Sequence, residues 1–189
     1  MISPPDDLLL KMEKFKNDFL INEGKNAFFK KGQKMDCAQK MSVTFNLQEM
    51  INKTVFVIPN TNQIIFDYTI FKLYAHPDNY NQINEYVISI YDDILLHYSS
   101  FEVNIILDSF TISAAERYKG AIQQFCNRCM NCNTKYSQLI SKMYIYYTPS
   151  MMDSISVLLK PFIDKSMLER IVLYSKVESP EKLKKLLSK

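Results

Sequence analysis

The 189-residue sequence predicts an α/β fold, a largely parallel sheet flanked by helices, preceded by a short helical N-terminal segment. Two observations carry this. After residue 54 the apolar pattern runs roughly β-β-α-β-α-β-α-β-α, an alternation that calls for right-handed crossovers between parallel strands. Met143–Tyr147 is moreover an apolar run without polar alternation, as in a strand buried on both faces or lining a cavity. On this reading residues 1–52 are the helical segment and residues 53–189 form the α/β domain.

The elements follow in order. Ser3-Pro4-Pro5-Asp6-Asp7 offers a capping hydroxyl, early prolines and first-turn acids, and Leu8, Leu9, Met12, Phe15, Phe19 and Leu20 then recur at helical spacing to about Ile21. A second helical stretch covers about Ala27 to Lys40. Thr54–Ile58 is short, apolar and β-branched, and Pro59-Asn-Thr-Asn62 turns the chain into a second strand, Ile64 to Leu73. Asp78 to His97 is helical, with Ile83, Val87, Ile90, Ile94 and Leu95 on one face. Phe101 to Leu107 is a strand. Ser113 and Glu116 have capping-box spacing for a helix running past Cys126, and Thr134 caps another short helix. After the Met143 strand, Met151, Ile155, Leu158, Leu159 and Phe162 recur at helical spacing until Pro161 ends or kinks the segment. Arg170 to Tyr174 is the last strand, and Ser179-Pro180-Glu181 opens the last helix.

Composition narrows the function. Three glycines, Gly24, Gly32 and Gly120, cannot supply a dinucleotide fingerprint, a phosphate loop or a nucleophile elbow. The N-terminus lacks a basic region before an apolar core, so no signal peptide is expected. No apolar run approaches the ~18 residues of a membrane span. Four cysteines without a secretory signal fit a reducing compartment, so the expected location is cytoplasmic, with peripheral membrane association. Residues 57–108 set one lysine against seven acids, whereas residues 157–189 set eight bases against four acids. Lys182, Lys184, Lys185 and Lys189 read simply as the solvated face of a terminal helix, and a net charge of +3 is too small to point to nucleic acid.

Cys126-x-x-Cys129-x-x-Cys132 is conspicuous, but on a helix the three thiols spread over about 120° and do not converge on one metal. Buried packing is the plainer reading, and no metal is expected. His76 and His97 sit at element ends, with only Asp78 near His76 as an acid–base partner. Asp92 and Asp93 point about 100° apart and cannot share a site. Met143, Ile145 and Tyr147 alternate with Tyr144 and Tyr146, and Met151 and Met152 follow at once. Such a lining suits an ordinary core, or a pocket that repacks around an acyl chain.

Four further stretches, in order, carry a family resemblance. Phe101-Glu-Val-Asn-Ile-Ile-Leu-Asp108 resembles a central strand ending in Asp, and Thr111-Ile-Ser-Ala-Ala-Glu-Arg-Tyr-Lys119 the helix after it. Tyr136-Ser-Gln-Leu-Ile-Ser-Lys-Met-Tyr-Ile-Tyr-Tyr-Thr-Pro149 resembles Tyr-Pro-Glu-x-x-x-Lys-x-x-x-x-Asn-x-Pro. Leu159-Lys-Pro-Phe-Ile-Asp164 with Leu168-Glu-Arg-Ile-Val-Leu173 resembles Leu-x-Lys-Pro-Phe-Leu-Asp and the final Lys-Ile strand. Together these resemble the CRAL-TRIO lipid-binding domain of phosphatidylinositol-transfer-like proteins, in a short and divergent form spanning about residues 54–187.

The resemblance implies a non-enzymatic protein that binds a phospholipid or other hydrophobic ligand, and transfers it between membranes, in a pocket closed by a mobile gate helix. The pocket lining is assigned to Val103, Ile105, Leu107, Met143, Ile145 and Tyr147. The gate is placed at residues 150–160, and the gate helix is assigned Met151, Met152, Ile155, Leu158, Leu159 and Phe162. In phosphoinositide-binding members a Glu and a Lys help bind the inositol phosphate. Gln138 and Arg170 stand in those places here and are assigned to the lipid headgroup. No cofactor is implied other than a bound lipid. The implied partners are that ligand and a transient membrane surface, not nucleic acid. The alternative is a protein-interaction module, since divergent members bind small GTPases or their regulators; the acidic middle segment would face a basic partner.

Overall fold

The computed structural model describes residues 7–22, 30–130 and 135–188, without the side chains at 30, 31, 158 and 159. Three helices open the described chain: α1 (Asp7–Asn22), α2 (Lys30–Thr44) and α3 (Leu47–Thr54). The expected caps at Ser3 and Thr134 and the expected helix start at Ala27 lie outside the described residues. The third helix is an addition to the sequence reading. Asn46 starts it by accepting the Glu49 N–H at 3.0 Å, satisfying one of the free donors of a first turn. Met12, Met41, Met50 and Ile51 are fully buried in the cluster that holds Phe71 and Tyr74, so these helices are seated on the domain by side-chain packing.

Strands β1 (Val55–Val57) and β2 (Gln63–Asp67) form an antiparallel hairpin, with Asn60 in the left-handed region at φ 60°. Strands β3 (Phe101–Ile106), β4 (Ile140–Tyr146) and β5 (Ile171–Leu173) continue parallel to β2, in the order β1-β2-β3-β4-β5. The largely parallel α/β sheet expected from the sequence is therefore present. Its order never reverses, so right-handed crossovers deposit every connecting helix on one face. That face is covered by α4 (Tyr68–Tyr74), α5 (Tyr80–Leu95), α6 (Ile112–Arg117), α7 (Lys119–Cys129) and α9 (Met152–Leu159); residues of α5 and α7 cluster with Ile64, Val103 and Met143, while α4, α6 and Ile155 of α9 form a second cluster that Phe66 adjoins. The short α8 (Lys135–Leu139) and α10 (Lys165–Leu168) lead into β4 and β5.

Two boundaries differ from expectation. The strand predicted over Ile64–Leu73 stops at Asp67, whose carboxylate accepts the Thr69 N–H at 2.7 Å and caps α4. The cap overrides the β-branched and aromatic character of Tyr68–Tyr74. Thr111 rather than Ser113 caps α6, accepting the Ala114 N–H at 3.2 Å, and the helix breaks at Tyr118 (φ −97°, ψ 12°) before α7.

The opposite face of the sheet has a different cover. There α11 (Ser179–Leu187) packs Leu183 and Leu186 on Ile58, Ile65 and Tyr146. Beneath lies a polar chain. Asn104, fully buried, donates to Gln63 Oε1 at 2.9 Å and to the Ile64 carbonyl at 3.2 Å, and accepts from the Tyr146 hydroxyl at 3.0 Å. Gln63 in turn donates to Glu102. A closed set of partners is the condition for burying an amide at no loss. Among the described residues no helix is long and apolar enough to cross a membrane.

Candidate functional site

The parallel register sets the floor of a cavity. Ile64, Val103, Met143 and Ile171 lie abreast across β2–β5, and Phe66, Ile105 and Ile145 form the next row. All seven face the crossover helices and line a cavity of about 200 Å³. Its walls are Ile83, Val87 and Tyr91 of α5 and Ala121, Ile122 and Phe125 of α7. Parallel strands buried on both sides supply such apolar rows without interruption. Among the described residues of the lining, the non-aromatic polar side chain other than the Cys126 thiol is Asn84, whose amide reaches Gln124 at 3.3 Å.

Five of the residues assigned to the pocket from sequence, Val103, Ile105, Leu107, Met143 and Ile145, line this cavity. Tyr147 does not. Strand alternation would put it beside Ile145, but β4 ends at Tyr146 and Tyr147 takes a left-handed backbone at φ 55°. Its N–H donates to the Ser179 hydroxyl at 2.7 Å, and its side chain packs against the cluster of Tyr146, Leu183 and Leu186 on the α11 side. The sequence offers no glycine to announce that turn.

Of the assigned gate residues, Met152 and Ile155 of α9 close the cavity, with Ile155 almost wholly buried. Met151 is exposed at the start of the helix. Phe162, in the turn that follows α9, packs beside the cavity lining without joining it. The side chains of Leu158 and Leu159 lie outside the described residues. Val157, unmentioned by the sequence reading, is exposed on the outer side of α9.

The two residues assigned to a headgroup stand away from the cavity. Gln138 is exposed in α8 and absent from the lining. Arg170 precedes β5 and spends its guanidinium on the fold: Nε donates to the Ser166 carbonyl at 3.1 Å and Nη1 to the Ile140 carbonyl at 2.5 Å. These bonds tie the start of β5 to the start of β4. Arg170→Ala is therefore expected to cost about 1–2 kcal/mol of stability in denaturant unfolding, as charged hydrogen bonds do at a partly exposed site. Ligand affinity should not change; a loss of affinity at unchanged stability would restore Arg170 to the site.

Other singled-out residues have structural work. His76 is buried between α2 and the α4–α5 connection, with Nε2 2.8 Å from the Ser42 hydroxyl and Nδ1 3.6 Å from Asp78. The trio resembles a hydrolytic triad in composition only. Ser42 lies inside α2, donates to the Gln39 carbonyl at 2.8 Å, and has around it backbone N–H groups consumed by the helix, leaving none aimed at an oxyanion. It is a clasp for the N-terminal helices. Burial lowers the His76 pKa below its ordinary 6.5, with Asp78 opposing. The unfolded chain then takes up the proton first, so stability is full above 6.5 and falls as pH drops toward the folded value. Thermal melts at about pH 7.5 and about pH 5 should show this loss, reduced in His76→Gln. Equal pH slopes in the two proteins would exclude the clasp as its source.

Burial pushes the thiols of Cys126 and Cys129 up to about 12, so they pack as apolar groups. Cys132 lies outside the described residues, and among those described no group of three His, Cys, Asp or Glu side chains could hold a metal ion. The acids of the middle segment are partly paired within the molecule: Asp92 binds Lys135 at 2.6 Å and Glu85 binds Arg128 at 2.8 Å. The Lys135 ammonium and the Tyr136 hydroxyl hold the Asp92 carboxyl below the usual range.

Comparison with known proteins agrees with this architecture. The family model described as CRAL/TRIO domain matches residues 75–189, more than half of the chain. Among solved structures the chain is similar to the crystal structure of Sfh5, with a TM-score of 0.52 and 12% sequence identity over 89% of this chain. The likeness is one of fold, and it spans 65% of the length of that protein. The curated proteins gave no match.

Proposed function

The chain belongs to the CRAL/TRIO domain family, and from that premise we propose that it is a non-enzymatic binding module that holds a lipid under α9 and carries it between membranes. Members of the family generally bind hydrophobic ligands such as lipids. The observation that carries the reading to this chain is the apolar cavity between the sheet and α9. A well-packed interior leaves few voids larger than a water molecule, so a 200 Å³ space walled by aliphatic and aromatic groups is a feature that packing alone does not produce.

The gate follows from burial. Ile155, buried, and Met152, half-buried, cover the cavity on the α9 side, and burying a large side chain fully is worth about 1.5–3 kcal/mol. At a bilayer the cost of exposing them falls, because the side chains exchange one apolar surrounding for another, and the exposed Met151 and Val157 meet the same surface. A membrane thereby biases α9 toward opening without any covalent event.

The test is uptake. The protein is incubated with liposomes of mixed lipids, separated from them by flotation and extracted. Lipid in the protein fraction, with release to acceptor liposomes, is the expected result. Retention without release would leave binding standing and remove transfer; an empty protein fraction would remove both.

A further inference from the structure

The cavity lining is uniform in one respect. Of the described residues that form it, none is Asp, Glu, Lys, Arg or His. Its polar groups are the Asn84 amide, the phenols of Tyr68, Tyr91 and Tyr118, and the Cys126 thiol. Two of them already have partners: Asn84 donates to Gln124 and Tyr118 to the Lys72 carbonyl, each at 3.3 Å. Burial raises the pKa of all three phenols and pushes the thiol up to about 12. Every group that a ligand meets in the lining is therefore neutral near pH 7.

The charged groups of the surrounding elements are held outside. On α4 the Lys72 ammonium donates to the Ser109 hydroxyl at 2.7 Å and lies 5.6 Å from the centre of the Tyr68 ring. Arg117, at the end of α6, lies 5.7 Å from the centre of the Tyr118 ring and hydrogen-bonds the same residue. Between α5 and its neighbours, Glu85 is paired with Arg128 and Asp92 with Lys135. Asp93, Asp108, Glu116, Lys119 and Asp153 are exposed. On the sheet, Glu102 accepts from Gln63 on the face turned away from the cavity. None of these residues is part of the lining.

A phosphate or an ionised carboxylate entering this space would leave water and find no counter-charge. Buried charges are tolerated only when they are paired and hydrogen-bonded. A hydroxyl or carbonyl asks far less, since one bond to an amide or a phenol satisfies it. Resting on the lipid-binding reading, we propose that the cavity selects an uncharged lipid, its polar end no larger than a hydroxyl or carbonyl group, and rejects phospholipids and ionised fatty acids.

The probes share one chain and differ at the head. Phosphatidylcholine vesicles carrying equal amounts of oleyl alcohol, oleate and oleoyl lysophosphatidylcholine are incubated with the protein, and the lipid in the protein fraction is identified by mass spectrometry. At pH 8 oleyl alcohol is expected to be enriched at least about 100-fold over the other two. At pH 5.5 oleate uptake should rise about tenfold or more, because its carboxyl enters once protonated, while uptake of the alcohol stays within about twofold. Met143→Lys places an ammonium on the cavity floor and should reverse the order at pH 8 in favour of oleate. Oleate or the lysolipid taken up as readily as the alcohol at pH 8 would overturn the selection and leave the lipid-binding reading standing. Uptake of phosphatidylcholine alone would do the same. An unchanged order in folded Met143→Lys would place the ligand away from the cavity floor and overturn it too. No lipid in the protein fraction at either pH would overturn the selection and the lipid-binding reading together. Should Met143→Lys fail to fold, the two wild-type measurements decide the matter.

Discussion

Ile105→Trp is expected to weaken lipid binding by about a hundredfold or more, about 2.8 kcal/mol. Ile105 projects from the centre of the sheet into the cavity, in one row with Phe66 and Ile145. An indole there occupies space that the ligand needs. Filling a pre-existing void escapes most of the strain of overpacking, so stability should stay within about 1 kcal/mol of wild type. The control is Phe56→Trp. Phe56 lies between Val55 and Val57 on β1, points away from the cavity and is partly exposed. Uptake from liposomes should survive that substitution. Equal uptake by both variants would place the ligand elsewhere.

The second large effect falls on stability and sits on the far side of the same strand. Asn104→Leu is expected to cost about 2–5 kcal/mol, because it leaves both the Gln63 carbonyl oxygen and the Tyr146 hydroxyl buried without their partner, at about 1–3 kcal/mol each. Adding Tyr146→Phe should return part of the loss, since one orphan disappears with its hydroxyl. Denaturant unfolding of the three variants measures this. A double variant less stable than the sum of the single ones would mean that the tyrosine serves the fold through its packing on Leu183 and Leu186 instead.

Much of this molecule is legible in its sequence, and the gaps have particular causes. The strands at Val55, Met143 and Ile171 stand out as short runs of β-branched, apolar and aromatic residues, and the strand at Phe101 by its alternation of apolar Phe101, Val103 and Ile105 with polar Glu102 and Asn104. The cavity floor follows from the same runs: Val103, Ile105, Met143 and Ile145 alternate with residues that face α11. Helix α4 was hidden because Tyr68–Tyr74 has strand-like composition, and a single side chain, Asp67, decides against it. Tyr147 was misplaced because periodicity assumes that a strand continues, whereas a left-handed residue ends this one. Arg170 looked free because sequence shows a charge without showing the carbonyls that claim it.

The central claim is that the cavity under α9 carries a lipid. Native mass spectrometry of the protein purified without detergent tests it most directly, with the released species identified after denaturation. The expected result is an adduct of lipid mass on the wild type that is missing from Ile105→Trp. A wild type that flies at its bare chain mass, and stays at that mass after incubation with liposomes, would contradict the claim.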